Sequence, residues 1–238
     1  MKRPYIICHM MASVDGRIDC PMVAQISGEE YYAALESLGT SSKLSGRVTA
    51  ALECSAVSEE LSDETVVFSK DCDAVSVDAL AQESVFQSVK SEEYTIVVDT
   101  HGRLQMSSSE ADDHPLLVIM SENVSESHLE MLRSHNVSWI ATGKDSIDLH
   151  RAVEILAEQF GVSRLVLVGG GNINGGFLEA GLVDEVSVMI APGIDGRKGE
   201  TAVFDGCHWQ SDSPYHLKLK NVEQVEGTET IWLRYLCK

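Results

Sequence analysis

Apolar and polar positions follow two different periods along this chain. Over residues 148–160, Leu149, Ala152, Val153, Leu156, Ala157 and Phe160 recur at steps of three and four. That spacing places them on one stripe of an α-helix, the stripe that faces a core. Tyr5 to Ala12 is apolar almost throughout, as expected of a strand covered on both faces. Shorter apolar runs predict strands over residues 65–68, 94–99, 115–121, 137–142, 165–168 and 185–191, with a helix over 125–135. Ser27-Gly28-Glu29-Glu30 has capping-box spacing, so a helix is expected over 31–38, stopping near Gly39. Residues 216–222 and 230–236 alternate as the arms of an antiparallel hairpin do. The acidic, serine-rich stretch 54–87 is the least legible.

Strands and helices alternate through the middle of the chain, and strands close it. Such an order predicts an α/β fold: a mostly parallel central sheet flanked by helices, with an antiparallel C-terminal edge. A length of 238 residues, 44% of them hydrophobic and without a repeat or linker-like break, fits one domain over residues 1–238.

Charge narrows the choice of partners. Lys and Arg total 18 against 37 Asp and Glu, a net charge of -19. A surface so negative repels nucleic acid and anionic membranes, and an anionic ligand must be held by local devices. No run approaches the ~20 apolar residues of a membrane span, and the start lacks the pattern of a signal peptide. A cytoplasmic location is expected. The six cysteines show neither C-x-x-C spacing nor a metal-finger pattern. They read as reduced thiols, with Cys8 buried in the first strand.

Chemistry-bearing residues cluster at the ends of the expected strands, where open α/β sheets bind ligands. The most informative run is 165–182, in which a strand empties into Gly169, Gly170 and Gly171, then Asn172, Ile173 and a helix-like segment ending at Leu182. Glycine lets backbone approach a ligand closely. A helix start there turns unpaired N–H groups and the positive dipole end toward it, which favours phosphate or pyrophosphate. Glycine triplets also occur in ordinary turns, and neither the spaced Rossmann glycines nor the P-loop lysine is present.

After the first strand come Ser13, Asp15 and Gly16. They read either as a hydroxyl–carboxylate site or as an Asp-Gly turn closed on its own backbone. Gly46, Arg47 and Thr49 lie near an expected helix start, and Arg47 offers a planar fork suited to phosphate. Asp99, Thr100, His101, Gly102 and Arg103 follow one strand, and Ser121 follows the next. His101 reads as a surface residue, and His9 as a satisfied buried side chain. The sequence contains no nucleophile elbow, no H-E-x-x-H and no cluster of metal ligands.

Taken in order, three of these segments run Ala12-Ser13-Val14-Asp15-Gly16-Arg17-Ile18, Gly46-Arg47-Val48-Thr49 and Val97-Val98-Asp99-Thr100-His101-Gly102-Arg103-Leu104. The fourth is Gly169-Gly170-Gly171-Asn172-Ile173-Asn174-Gly175, with Phe177-Leu178-Glu179-Ala180-Gly181-Leu182-Val183-Asp184-Glu185 behind it. The chain resembles the riboflavin-pathway pyrimidine reductases from Tyr5 to Leu236.

That resemblance implies a dihydrofolate reductase-like fold, NADPH as cofactor, and a homodimer. It also implies hydride transfer to the sugar C1′ of a phosphorylated ribosylaminopyrimidine. By motif, Ser13 and Asp15 would face the substrate as catalytic residues, with Gly16 allowing close approach. Asp15 would orient the ribosyl hydroxyls or relay a proton, and a raised pKa would be needed for it to act as the acid. Gly46, Arg47 and Thr49 would meet the cofactor phosphates. Thr100, Arg103 and Ser121 would surround the adenosine end, and Gly169, Gly170, Gly171, Asn172 and Ile173 would hold the pyrophosphate. Two departures stand out: Val168 where many members of the family carry glutamate, and a first helical region, 26–39, with no Arg, Lys or Trp. They leave room for a reductase of another small carbonyl, imine or pteridine-like compound, or for a non-catalytic nucleotide-binding module.

Overall fold

The computed structural model describes residues 2–18, 20–39, 41–59, 84–206 and 214–237. The expected strand 65–68 lies outside these residues. In chain order the elements begin with β1 (Tyr5–Ala12), α1 (Cys20–Val23), α2 (Glu30–Ser37), β2 (Ser42–Gly46), α3 (Arg47–Glu53), β3 (Val57–Glu59) and β4 (Val85–Phe86). Then come β5 (Thr95–Val98), β6 (Leu104–Met106), β7 (Glu110–Ala111), β8 (His114–Met120), α4 (Glu126–Ser134), β9 (Ser138–Ala141) and α5 (Leu149–Glu158). The chain ends with β10 (Arg164–Gly169), α6 (Gly171–Glu179), β11 (Glu185–Ile190), β12 (Leu217–Gln224) and β13 (Ile231–Cys237).

The main sheet runs β12-β13-β11-β1-β10-β2-β5-β8-β9-β4, with β7 beside β8. From β11 to β9 every pairing along this path is parallel. The hairpin β12–β13 adds the expected antiparallel edge. At the far edge β4 is antiparallel as well, in the stretch whose pattern was unreadable. Alternate residues of the strands serve opposite faces. Ile6, Cys8 and Met10 join Leu165 and Leu167 in the cluster packed by α5 and α6, whereas Ile7, Met11 and Val166 pack against Ala34 and Leu35 of α2. Both faces are therefore dry, which explains why β1 lacks polar alternation.

Helix ends follow local chemistry. Asp148 caps α5 by accepting the Arg151 N–H, and Ser125 caps α4 through the His128 N–H. The expected reach of α6 to Leu182 is corrected. A Schellman pair closes the helix three residues earlier, with the Leu182 N–H bonded to the Phe177 carbonyl and the Gly181 N–H to that of Leu178. The expected Ser27–Glu30 capping box does not form, and α2 starts behind Glu29 with no side-chain cap. Glu30 does reach back to the Gly28 N–H at 2.8 Å, but the Ser27 hydroxyl donates to the Val23 carbonyl. Strand β2 has no apolar run to announce it; only Ser42, Leu44 and Gly46 are buried in it. Cys8, Cys54 and Cys237 are free thiols.

Candidate active site

Parallel strands end on one edge of the sheet, so the segments that follow β1, β10, β2, β5 and β8 gather there. Between the ends of β10, β2 and β5 lies a cleft of about 270 Å³. Its walls include Gly46, Arg47, Thr49, Thr100, Arg103, Gly170, Asn172 and Ile173, which the sequence had marked as separate motifs. Two helices start at its rim. Gly46 precedes α3 and Gly170 precedes α6, and neither start has a side-chain cap. The first amides of α6 thus lack an intrahelical acceptor and face outward with the positive end of the helix dipole.

Two glycines shape this rim. Gly170 has φ +87°, a conformation L residues rarely adopt. A Cβ there would lie 3.6 Å from Ile173, 3.7 Å from Thr49 and 3.9 Å from Gly46, inside the cradle between the two helix starts. Gly169 is needed for packing instead, since a Cβ would come within 2.6 Å of the Thr49 methyl. Gly171 likewise faces away from the cleft. It is buried against residues 201–205, and its carbonyl accepts the Asp205 N–H at 3.0 Å.

Residues 99–103 form the opposite wall. Their turn is held from below by Asp99, which accepts the Leu104 N–H at 2.8 Å, and by Ser121. Ser121 is fully buried and donates to the Thr100 carbonyl at 2.7 Å. It does not line the cleft, so the ligand contact expected of it becomes a supporting one. His101 and Arg103 are exposed, His101 as expected.

Ser13, Asp15 and Gly16 form a tight turn, the other reading of that segment. Ser13 is buried and donates to Asp15 at 2.7 Å, while the Gly16 N–H bonds the Ser13 carbonyl. Asp15 is exposed, yet both its oxygens are engaged, accepting the Asp195 N–H at 3.0 Å and the Gly196 N–H at 2.9 Å. The Ser13 hydroxyl, followed by the Gly196 and Asp195 amides, holds its carboxyl well below the usual carboxylate range. The raised pKa that an acid role requires is therefore absent, and Asp15 stays anionic at neutral pH. No pattern in the sequence announced the segment that meets it. Residues 192–206 also bond Arg17 through the Glu200 carbonyl and Ile18 through the Thr201 carbonyl.

A second cleft of about 360 Å³ opens on the sheet face between α2 and α3. Met10, Met11, Lys43 and Val168 come from its strands, Tyr31, Tyr32 and Leu35 from α2, and Glu53 from the end of α3. Val168 lies here and Gly170 in the edge cleft. Along α3, Arg47 serves one cleft and Glu53 the other, about 9 Å apart at the usual helical rise. The two clefts are neighbours. Behind the Tyr31 wall, His9 is fully buried, stacked on the Tyr31 ring at 4.8 Å. Trp232 donates to Ser187 at 2.8 Å, and the Ser187 hydroxyl is also hydrogen-bonded to His9 Nδ1 at 2.9 Å. Burial pushes the His9 pKa down to about 4, so its ring is neutral.

Residues 4–230 match the family model described as RibD C-terminal domain. The 2,5-diamino-6-ribosylamino-4(3H)-pyrimidinone 5′-phosphate reductase of Methanothermobacter thermautotrophicus is 27% identical over 209 residues, covering 86% of this chain and 85% of that one. A pyrimidine reductase-like protein from Corynebacterium diphtheriae superposes with a TM-score of 0.70 at 18% identity, over 99% of this chain and 92% of that one. RibD of Acinetobacter baumannii gives 0.66 at 18% identity; this chain is covered to 99% but spans only 58% of that longer protein. The two structural matches establish the dihydrofolate reductase-like fold.

Proposed function

This chain belongs to the RibD C-terminal domain family of riboflavin-biosynthesis reductases, and from that premise we propose that it is an NADPH-dependent oxidoreductase reducing the ribosylamino group of a diaminopyrimidine. The reading rests most on the cradle between the starts of α3 and α6, into which a Cβ at position 170 would project. Backbone amides at Asn172 and Ile173 would hold a pyrophosphate, with Arg47 and Thr49 on its flank. Thr100 and Arg103 would hold the adenosine end, where a cation favours the extra 2′-phosphate.

When bound, reduced nicotinamide supplies the hydride. In the substrate, the C1′=N π bond breaks, carbon takes the hydride, and nitrogen keeps the electron pair and gains one proton. Asp15, held anionic, does not supply that proton; it fixes the 13–17 turn to residues 195–196 and offers an acceptor for ribosyl hydroxyls. The proton arrives on the imine nitrogen or from solvent. Tyr31 and the apolar floor of the face cleft exclude water from a planar ring.

The reading includes a homodimer and a reducing, cytoplasmic compartment. Strand β12 supports the first: it is exposed along its length at the sheet edge, and Leu219 and Val222 are more than half exposed. Free thiols at Cys8, Cys54 and Cys237 support the second. No helix among the described residues is long and apolar enough to cross a membrane.

Fluorescence titration with NADPH and NADH tests the cofactor. Saturable binding is expected, tighter for NADPH; no measurable affinity for either removes the proposal. Loss of NADPH absorbance on adding ribosylaminopyrimidines then separates a reductase from a non-catalytic binder. A reductase of another small imine on the same scaffold is favoured by one observation, the apolar Val168 in the substrate cleft.

A further inference from the structure

One segment touches both halves of the candidate site. Residues 192–206 follow β11 and first meet the turn after β1. The Gly193 carbonyl accepts the Val14 N–H at 2.8 Å, and the Asp195 and Gly196 amides hold Asp15. Farther along, the Glu200 carbonyl takes the Arg17 guanidinium, and the Thr201 carbonyl takes the Ile18 N–H at 3.1 Å. The same segment then reaches the start of α6. The Asp205 N–H donates to the Gly171 carbonyl at 3.0 Å, and the fully buried Asn174 side chain donates to the Val203 carbonyl at 2.8 Å. Packing there is close. A Cβ on Gly171 would collide with the Ala202 carbonyl, and one on Gly206 would lie 2.5 Å from the Asn172 side chain.

A peptide unit is planar and trans, so fixing its carbonyl also fixes the N–H on its other side, which points the opposite way. The Gly171 carbonyl and the Asn172 N–H belong to one such unit. With that carbonyl bonded to Asp205, the Asn172 N–H is aimed back past the start of α6, where Asn172 lines the edge cleft. The Asp205 carboxylate keeps its own segment in shape by accepting the Ala202 N–H at 2.8 Å, which closes the 202–205 turn. We propose that Asp205 is a positioning residue: by closing this turn it makes residues 192–206 a tie between the Asp15 turn and the start of α6, so that dinucleotide and phosphorylated aminopyrimidine each bind more tightly when the other is present. Whichever ligand binds first fixes its end of the tie, less ordering remains for the second, and the gain is reciprocal. This rests on the reductase reading given above and adds a coupling between its two ligands.

The test is isothermal titration of NADP⁺ into the protein alone and into the protein saturated with 2,5-diamino-6-ribosylamino-4(3H)-pyrimidinone 5′-phosphate. This pair forms a complex without turnover, because the nicotinamide is already oxidised. In the wild type the pyrimidine is expected to tighten NADP⁺ at least about fivefold. Asp205→Ala should reduce that factor to about one, whereas Asp205→Asn, which keeps an acceptor for the Ala202 N–H, should retain most of it. Asn174→Leu removes the bond to Val203 from the α6 side and should cut the factor likewise, a second route to the same answer if Asp205→Ala does not fold. A purely structural loss would weaken both titrations alike and leave their ratio unchanged. A wild-type factor of about one, or a full factor in Asp205→Ala or Asn174→Leu, overturns the inference and leaves the reductase reading standing. Absence of NADP⁺ binding to the wild type overturns both.

Discussion

Acidification should destabilise this fold through His9 before most carboxylates titrate. The side chain is buried on β1, and burial, with Arg234 adding to it, holds its pKa near 4 against 6.5 in the unfolded chain. The folded value is the depressed one, so the unfolded chain binds the proton first. The neutral-His9 contribution is fully present above pH 6.5 and is lost as the pH falls toward about 4. At about 1.4 kcal/mol per pKa unit, that interval corresponds to about 3 kcal/mol, a large share of the 5–15 kcal/mol typical of a domain. Urea unfolding would be followed from about pH 7.5 to about pH 4.5 for the wild type and for His9→Phe. Phenylalanine keeps a ring against Tyr31 and cannot titrate; it leaves Ser187 one partner short, a cost of about 1–3 kcal/mol that does not vary with pH. Other acids titrate alike in both proteins and cancel in the difference. The stability difference between wild type and variant should shrink by about 2–3 kcal/mol across the range. Parallel curves would refute the assignment of a buried, neutral His9.

Three further outcomes bear on the site. Gly169→Ala places a Cβ 2.6 Å from the Thr49 methyl, so α3 must shift; NADPH affinity by fluorescence titration should fall at least about tenfold and the melting temperature should drop. Arg103→Ala should weaken NADPH by about tenfold and leave NADH nearly unchanged, because its guanidinium is assigned to the 2′-phosphate alone; equal losses would count against that assignment. Asp15→Asn should lower kcat/KM by loosening the tie to residues 195–196, yet leave the shape of the pH–rate profile unaltered, since Asp15 is already ionised throughout the neutral range. A limb of that profile that vanishes in the variant would restore Asp15 as an acid.

The residues that line the edge cleft were largely readable in advance. A glycine triplet after an apolar strand, and an arginine and a hydroxyl after a second glycine, are local signals; their chemistry depends on backbone conformation a few residues long. For the same reason the stripe of α5 and the apolar β1 were legible. What failed was whatever depended on partners far along the chain. Strand β2 carries only Leu44 as a large buried apolar side chain, and it is a strand because β10 and β5 flank it in parallel. Ser121 carries the same strand-end signature as a ligand contact, but its hydroxyl is taken by Thr100 across the sheet.

The sequence by itself determined the sheet class, the strand ends where chemistry gathers, and the glycine turn at the start of α6, since each follows from periodicity or from the conformational range of single residues. Tertiary structure alone decided which charges share the face cleft: Glu29, Lys43, Glu53 and Asp112 meet there from four separate segments. It also brought the Asp195 and Gly196 amides to Asp15, where they add to the Ser13 hydroxyl in holding its carboxyl below the usual carboxylate range. A pKa and a cleft's charge are sums over neighbours in space, and those neighbours are fixed only when the sheet has closed.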